Sequence, residues 1–159
     1  VVKFDPQKYD RHAMRLKGFD YSSQGAYAVT ICTKMRGPYL ANSICYAFVE
    51  TAWNALPTHF STVILDTISI VPNHVHFLIW LNPTEEEKPT LGNVVRIFKG
   101  DFSRAWTEHI IKIEGIKPET IWQSRFYDHI VRNERDQEMQ RQYILENPEK
   151  HRLQDEDEP

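Results

Sequence analysis

Residues 71–81 constrain the fold most, because they join a turn signal to a strand whose two faces differ. Pro72 and Asn73 predict the turn, and the strand starts directly after them. Successive side chains of a strand point to opposite sides, so His74 and His76 share one face. The other face is apolar and is predicted to lie in a core: Val75, Phe77, Ile79 and Leu81.

The histidine pair is a candidate metal site. Two imidazoles at this spacing can bind one divalent cation. A His-x-His pair on a strand is also common as two partly exposed polar side chains that hold no metal. The pair therefore indicates a metal site only if the chain supplies a third ligand and a reactive group.

Hydrophobic periodicity and end signals predict six further elements around this strand. In chain order they are a strand at 26–33, a helix at 43–56 ended by Pro57, a strand at 62–71, a helix from 91 that ends before Gly115, an extended segment at 121–131, and a helix from 133 ended by Pro148. The N-cap candidates are Asn42 or Ser43, Thr90 and Asn133. The strand at 62–71 and the histidine strand should form an antiparallel hairpin. This order predicts an α+β fold, an antiparallel sheet with helices packed mainly on one face.

The last helix is the candidate cover for the histidine face of the sheet. On it Tyr143 and Asn147 are four residues apart and share one stripe. Above the histidines they would add a phenol and an amide oxygen to two imidazoles. A phenol has an ordinary pKa near 10 and needs a base or a cation to act as a nucleophile. With a divalent ion beside a phosphodiester, this set suits strand transfer through a covalent phosphotyrosine.

Composition is compatible with one domain and with a nucleic-acid partner. The chain has 159 residues, 41% of them hydrophobic, which is enough for a core. Its formal charge of −3 includes four acidic residues at 155–158, and without them 19 basic residues face 18 acidic ones. Cys32 and Cys45 lack a Cys-x-x-Cys spacing, and no apolar run is long enough to cross a bilayer. These features predict a reduced, cytoplasmic protein without a membrane partner.

Five segments together resemble a known family. The sequence resembles the single-tyrosine transposases of the His-hydrophobe-His (HUH) class, and within it the REP-associated tyrosine transposases of bacteria. The segments that carry the resemblance are RLKGFDY at 15–21, GAYAVTICT at 25–33, VPNHVH at 71–76, WQSRFYDHIVRNE at 122–134 and YILENP at 143–148. Several motifs in the right order are more specific than any one of them.

The resemblance implies a ferredoxin-like, RRM-like fold for the domain at 25–152. The residues themselves predict an N-terminal arm at 1–24 and an acidic tail at 153–159. The resemblance also implies a nucleoid-associated enzyme that cuts and joins single-stranded DNA and hairpins formed by repetitive extragenic palindromes. Tyr143 would be the nucleophile and would form a 5′-phosphotyrosine. The ligands of a magnesium or manganese ion would be His74, His76 and Asn147.

Basic and aromatic side chains beyond this site are predicted to contact DNA, since phosphate contact and base stacking require both types. The candidates are Arg11 and Arg15 in the arm, Lys99 and Arg104 on the long helix, and Arg125, Phe126, Tyr127, His129 and Arg132 before the last helix.

A non-catalytic module that binds single-stranded nucleic acid on the same scaffold is the alternative. The separation of Tyr143 from Asn147 favours the enzyme. From the sequence, the last helix could close the site of its own chain or that of a partner in a homodimer.

Overall fold

The computed structural model describes residues 16–157. The strands are β1 Gly25–Cys32, β2 Val63–Val71, β3 His74–Leu81 and β4 Tyr127–Ile130, and the α-helices are α1 Ser43–His59, α2 Leu91–Glu114 and α3 Glu134–Asp157. Two short 3-10 helices, Lys34–Arg36 and Tyr39–Ala41, connect β1 to α1. Arg11 and Arg15 of the predicted DNA surface lie outside the described residues.

The four strands form one antiparallel sheet in the order β2-β3-β1-β4. The first strand is therefore central, and β3, which carries the histidines, is its neighbour. This is the strand order of a ferredoxin-like sheet, and the α+β prediction is confirmed. The predicted hairpin of β2 and β3 is also present, with Val71 opposite His74 across the turn.

Helices α1 and α2 cover one face of the sheet and enclose the main core. On β3, Val75, Phe77 and Ile79 are fully buried there. From the helices, Trp53 and Phe98 each lie against Phe77, with ring centroids 5.0 and 5.7 Å apart. The alternation predicted for β3 is thus confirmed, since its odd-numbered residues face this core.

Among the described helices, only α3 lies on the opposite face, where it packs against β2 and β3. Its one fully buried apolar side chain among the described residues is Ile144. This side chain packs in a small cluster with Ala26, Ala28 and Leu78 of the sheet. The alanines leave room for the helix to approach the strands, so α3 covers the side of β3 that bears the histidines.

Three helix starts are capped as the sequence predicts, and at the start of α3 the Asn133 side chain accepts a hydrogen bond from the N–H of Asp136 at 2.9 Å. The Asn42 side chain accepts hydrogen bonds from the backbone N–H groups of Ile44 and Cys45, at 2.9 and 3.1 Å. The Thr90 hydroxyl accepts one from the N–H of Asn93 at 3.1 Å. These contacts satisfy N–H groups that the first helical turn leaves without partners.

The two predicted helix ends at proline are wrong. Helix α1 continues past Pro57 to His59, and α3 continues past Pro148 to Asp157. A proline removes the hydrogen bond of its own nitrogen and its ring crowds the carbonyl four residues earlier, but the residues that follow it can still make helical hydrogen bonds. In α1 the N–H of Phe60 donates to the carbonyl of Leu56 at 3.0 Å and completes the last turn. Helix α3 therefore includes residues 153–157 of the predicted acidic tail.

Candidate active site beneath helix α3

The strand β3 places both histidines on the face that α3 covers. Thr30 of β1 and Ser69 of β2 are the partners opposite His76, which is only 7% exposed. Cys32 of β1 is the partner opposite His74, near the end of the sheet. One imidazole is therefore enclosed by neighbouring strands and the other lies closer to solvent.

Hydrogen bonds at both ring nitrogens orient His74. Its Nδ1 lies 2.7 Å from Oδ1 of Asn73, the last residue of the turn. Because an amide oxygen only accepts, Nδ1 carries the proton and Nε2 keeps its lone pair. That Nε2 lies 3.0 Å from Nδ2 of Asn147 on α3. Asn147 is 6% exposed, so its amide and the imidazole lone pair meet in a sheltered position.

Tyr143 lies against the other histidine. The ring centroids of His76 and Tyr143 are 5.4 Å apart in an edge-to-face arrangement. The tyrosine is half exposed, so the phenol borders both the imidazole and solvent. The expected proximity of Tyr143 to the histidine pair is therefore present within a single chain.

Burial keeps His76 neutral. Burial, together with the smaller effect of the positive charge that His74 would carry if protonated, lowers the pKa of this imidazole to about 4. A neutral imidazole has the lone pair that a metal ligand needs.

The donor set is compatible with a cation that leaves coordination positions open. Within the described residues, no cluster of three or more His, Cys, Asp or Glu side chains could hold a metal ion. The available donors are the two imidazoles and the amide of Asn147, which faces His74 through its nitrogen. For Asn147 to be a ligand its amide must turn, so that Oδ1 replaces Nδ2.

The comparison with protein families identifies the scaffold. The sequence profile described as IS200-like transposase matches residues 21–147. This range includes the whole histidine, tyrosine and asparagine constellation. The chain belongs to the IS200-like transposase family.

Two relatives of this IS200-like chain come from Haemophilus influenzae. An uncharacterized protein is 27% identical over 93% of each chain. A second protein, provisionally named a REP-associated tyrosine transposase, is 27% identical over 83% of this chain and 74% of its own. The resemblance found in the sequence is thereby confirmed.

Solved structures of transposases share the fold. A REP-associated tyrosine transposase bound to a REP hairpin is 23% identical, with a TM-score of 0.64 over 86% of this chain and 72% of its own. A provisionally assigned transposase from Deinococcus radiodurans is 18% identical, with a TM-score of 0.53, and the match covers 82% of this chain and 96% of the other. At these identities the likeness shows the ferredoxin-like fold alone.

Three of the predicted DNA contacts have structural roles in this IS200-like chain. Phe126 is 5% exposed and packs in the main core, so its ring has no open face for a base, which corrects that prediction. Lys99 donates from Nζ to the carbonyl of Gln123 at 2.8 Å and holds the segment before β4 against α2. His129 Nε2 lies 2.9 Å from the Asp136 carboxylate and joins β4 to the first turn of α3.

The other described candidates differ in position. Tyr127 is exposed and is the partner of Thr30 across the sheet, in the same row as His76. Arg125 and Arg132 are exposed at the two ends of β4. Arg104 pairs with Asp101 at 2.7 Å on α2, which packs on the opposite face of the sheet from the histidines. Tyr127, Arg125 and Arg132 thus remain predictions for a surface beside the site.

Sequence reasoning missed Asp66 and Arg141, which connect β2 to α3 beside the site. Arg141 Nη2 lies 2.8 Å from Asp66 Oδ2, although the two residues are 75 positions apart. A signal was present, because Asp66 is a single carboxylate in an otherwise apolar and hydroxyl-bearing strand.

Among the described residues, no helix is both long and apolar enough to cross a membrane.

Proposed function

We propose that this chain is a metal-dependent endonuclease and strand transferase that cuts hairpin-forming, single-stranded DNA through a covalent 5′-phosphotyrosine on Tyr143. The observation that carries the proposal is the placement of the Tyr143 ring against His76, with Asn147 against His74, in one chain. The site therefore does not require a residue from a second subunit.

The residues that would hold the cation are His74, His76 and, after its amide turns, Asn147. Asn73 fixes the His74 tautomer that offers Nε2, and burial keeps His76 uncharged. Magnesium or manganese would polarise a phosphate oxygen and stabilise charge that develops on it. Two imidazoles and an amide leave room for water and DNA phosphate, which suits these ions.

The covalent step follows from the position of the phenol. The Tyr143 oxygen attacks phosphorus, an O–P bond forms, and the bond from phosphorus to the 3′ oxygen of the preceding nucleotide breaks. The phenolic proton leaves to water, and the 3′ oxygen takes up a proton and becomes a hydroxyl. The 5′ phosphate stays on Tyr143, so a second 3′-hydroxyl can reverse the step and join two strands without another energy source.

The substrate class follows from the family and one relative. The solved REP-associated transposase with this fold is bound to a REP hairpin. We extend that substrate class to this chain as a hairpin with a single-stranded flank. The exposed Arg125, Tyr127 and Arg132 lie next to the site and would contact phosphates and an unstacked base.

The test of the nucleophile is adduct formation. Incubation of the full chain with a labelled hairpin oligonucleotide and Mn²⁺ should yield a complex that survives denaturing electrophoresis. Tyr143→Phe should abolish it, because phenylalanine has no oxygen to attack phosphorus. Tyr39→Phe is the matched control, a tyrosine of similar exposure outside the site, and should retain the adduct. An adduct that persists in Tyr143→Phe would refute the assignment.

The test of the metal site does not depend on activity. Calorimetric titration of the protein with Mn²⁺ alone should detect binding, and His74→Ala and His76→Ala should each weaken this binding by about tenfold or more. His109→Ala, on α2 and outside the site, should bind as the wild type does. Equal binding by all four proteins would contradict the ligand assignment.

The alternative function is binding of single-stranded nucleic acid without chemistry. It predicts that hairpin affinity falls steeply with salt and that no adduct forms at any Mn²⁺ concentration. The closeness of Tyr143 and His76 favours the enzyme, since a binding module has no need for a half-exposed phenol beside a buried neutral imidazole.

A further inference from the structure

Asp66 occupies a β-bulge that changes the facing of strand β2. The pairing with β3 runs regularly from Val63 to Leu65 and resumes at Thr67, which leaves Asp66 as an extra residue. Because of this extra residue, odd-numbered positions face the main core before the bulge and even-numbered ones face it afterwards. Bulges of this kind re-aim side chains and are common near active sites.

The Asp66 carboxylate is directed at helix α3 and is fully engaged there. Arg141 donates from Nε to Oδ1 at 2.9 Å and from Nη2 to Oδ2 at 2.8 Å, a bidentate pair. The Thr67 hydroxyl donates to Oδ1 at 2.6 Å and the Trp80 indole to Oδ2 at 3.2 Å. Donors from its own strand and from β3 therefore also hold the carboxylate in place, in addition to the contact with α3.

This contact limits how α3 can sit on the sheet. The apolar contact of the helix centres on Ile144, and hydrophobic contact is non-directional, so it resists separation better than rotation or sliding. A bidentate guanidinium–carboxylate pair has a defined geometry. Arg141 is two residues before Tyr143, so a rotation of α3 that broke the pair would also move the phenol away from His76.

We propose that Asp66 and Arg141 are positioning residues, which fix the rotation and height of helix α3 so that Tyr143 stands at the histidine pair. The inference rests on the function proposed above. It predicts that loss of the bidentate pair slows the covalent step while hairpin binding is retained, because the proposed DNA-contacting residues lie at β4 and not on this contact. A misplacement of about 1 Å at a reacting group can cost about 10²-fold in rate.

The test measures adduct rate and hairpin affinity separately. Under single-turnover conditions with saturating hairpin and Mn²⁺, Asp66→Asn should form the adduct about 10²-fold more slowly. Its dissociation constant for the hairpin, measured in the same buffer, should stay within about twofold of the wild-type value. Glu138→Gln is the matched control, because Glu138 is the exposed second partner of Arg141 at 2.8 Å, and it should react at the wild-type rate.

Arg141→Lys separates geometry from charge. Lysine keeps the positive charge but cannot form the two parallel hydrogen bonds. It should fold, bind the hairpin and remain slow, which would support positioning. A wild-type rate in Asp66→Asn or in Arg141→Lys would overturn the proposal, as would a loss of hairpin affinity that matches the loss of rate. If the wild type itself forms no Tyr143 adduct, the proposed function fails first, so the two failures are distinguishable.

Discussion

Ile144→Ala tests whether one buried side chain holds α3 on the sheet. Ile144 is fully buried against Ala26, Ala28 and Leu78. The substitution removes about three methylene equivalents, each worth about 0.8 kcal/mol of transfer free energy. The cavity that remains adds a further cost, which brings the expected loss to about 3 kcal/mol.

The loss should appear first in α3. Within the part of the chain that the structure describes, α3 is the one helix on its face of the sheet, whereas α1 and α2 share a core with the central strands. Native-state hydrogen exchange of amides at 137–147 should therefore become about 10²-fold faster, the equivalent of about 3 kcal/mol. Amides of β1 and β3 should change less, because their hydrogen bonds do not require α3. The Tyr143 adduct should also form more slowly, since the phenol would leave the histidines more often.

Leu145→Ala is the matched control in the next position of the helix. Leu145 is 61% exposed, and a substitution at such a surface position should stay within about 0.5 kcal/mol. If Ile144→Ala speeds hydrogen exchange in α3 no more than Leu145→Ala does, the apolar contact of Ile144 with the sheet is not what holds the helix, and the prediction is refuted.

Two further predictions concern the charged contact and the core. Arg141 is the main reason that the pKa of Asp66 falls from 3.8 to about 2, so the stabilisation is fully present above the ordinary carboxyl pKa and is lost as the pH falls through about 2. The free energies of unfolding of the wild type and Asp66→Asn should therefore differ by about 1 kcal/mol at neutral pH, after allowance for solvent screening. This difference should shrink below pH 4, and a difference that stays constant with pH would contradict the prediction. Phe126→Ala should lower the free energy of unfolding by about 3–5 kcal/mol and leave the affinity for the hairpin unchanged at temperatures where the variant is folded. Arg125→Ala should weaken hairpin binding without loss of stability. The reverse pattern would place Phe126 in the DNA interface.

Local patterns predicted most of the fold. The alternation in β3 placed His74 and His76 on one face, and the cap residues Asn42 and Thr90 lie at the helix starts. These features depend on neighbours within a few residues, so their information is contained in short segments. The predicted helix ends at Pro57 and Pro148 failed, because a proline weakens a helix locally and the surrounding turns decide whether it ends.

The sequence predicted the residues of the candidate site but not the neighbouring residues that contact helix α3. Tyr143 and Asn147 could be matched with the histidines from motif and spacing. The roles of Phe126 and Arg125 could not be separated, because adjacent side chains of the same extended segment differ only in which side the tertiary structure buries. Nor could Asp66 be paired with Arg141, since the bulge that aims the carboxylate depends on how β2 pairs with β3.

The sequence by itself determined the elements, the face of β3 that bears the histidines and the family to which the chain belongs. Only the tertiary structure decided that α3 covers that face within its own chain and that a bulged aspartate pairs with Arg141 of this helix. The physical reason is the range of the interactions: periodicity and capping act over one or two turns, whereas the contact of Asp66 with Arg141 joins residues 75 positions apart.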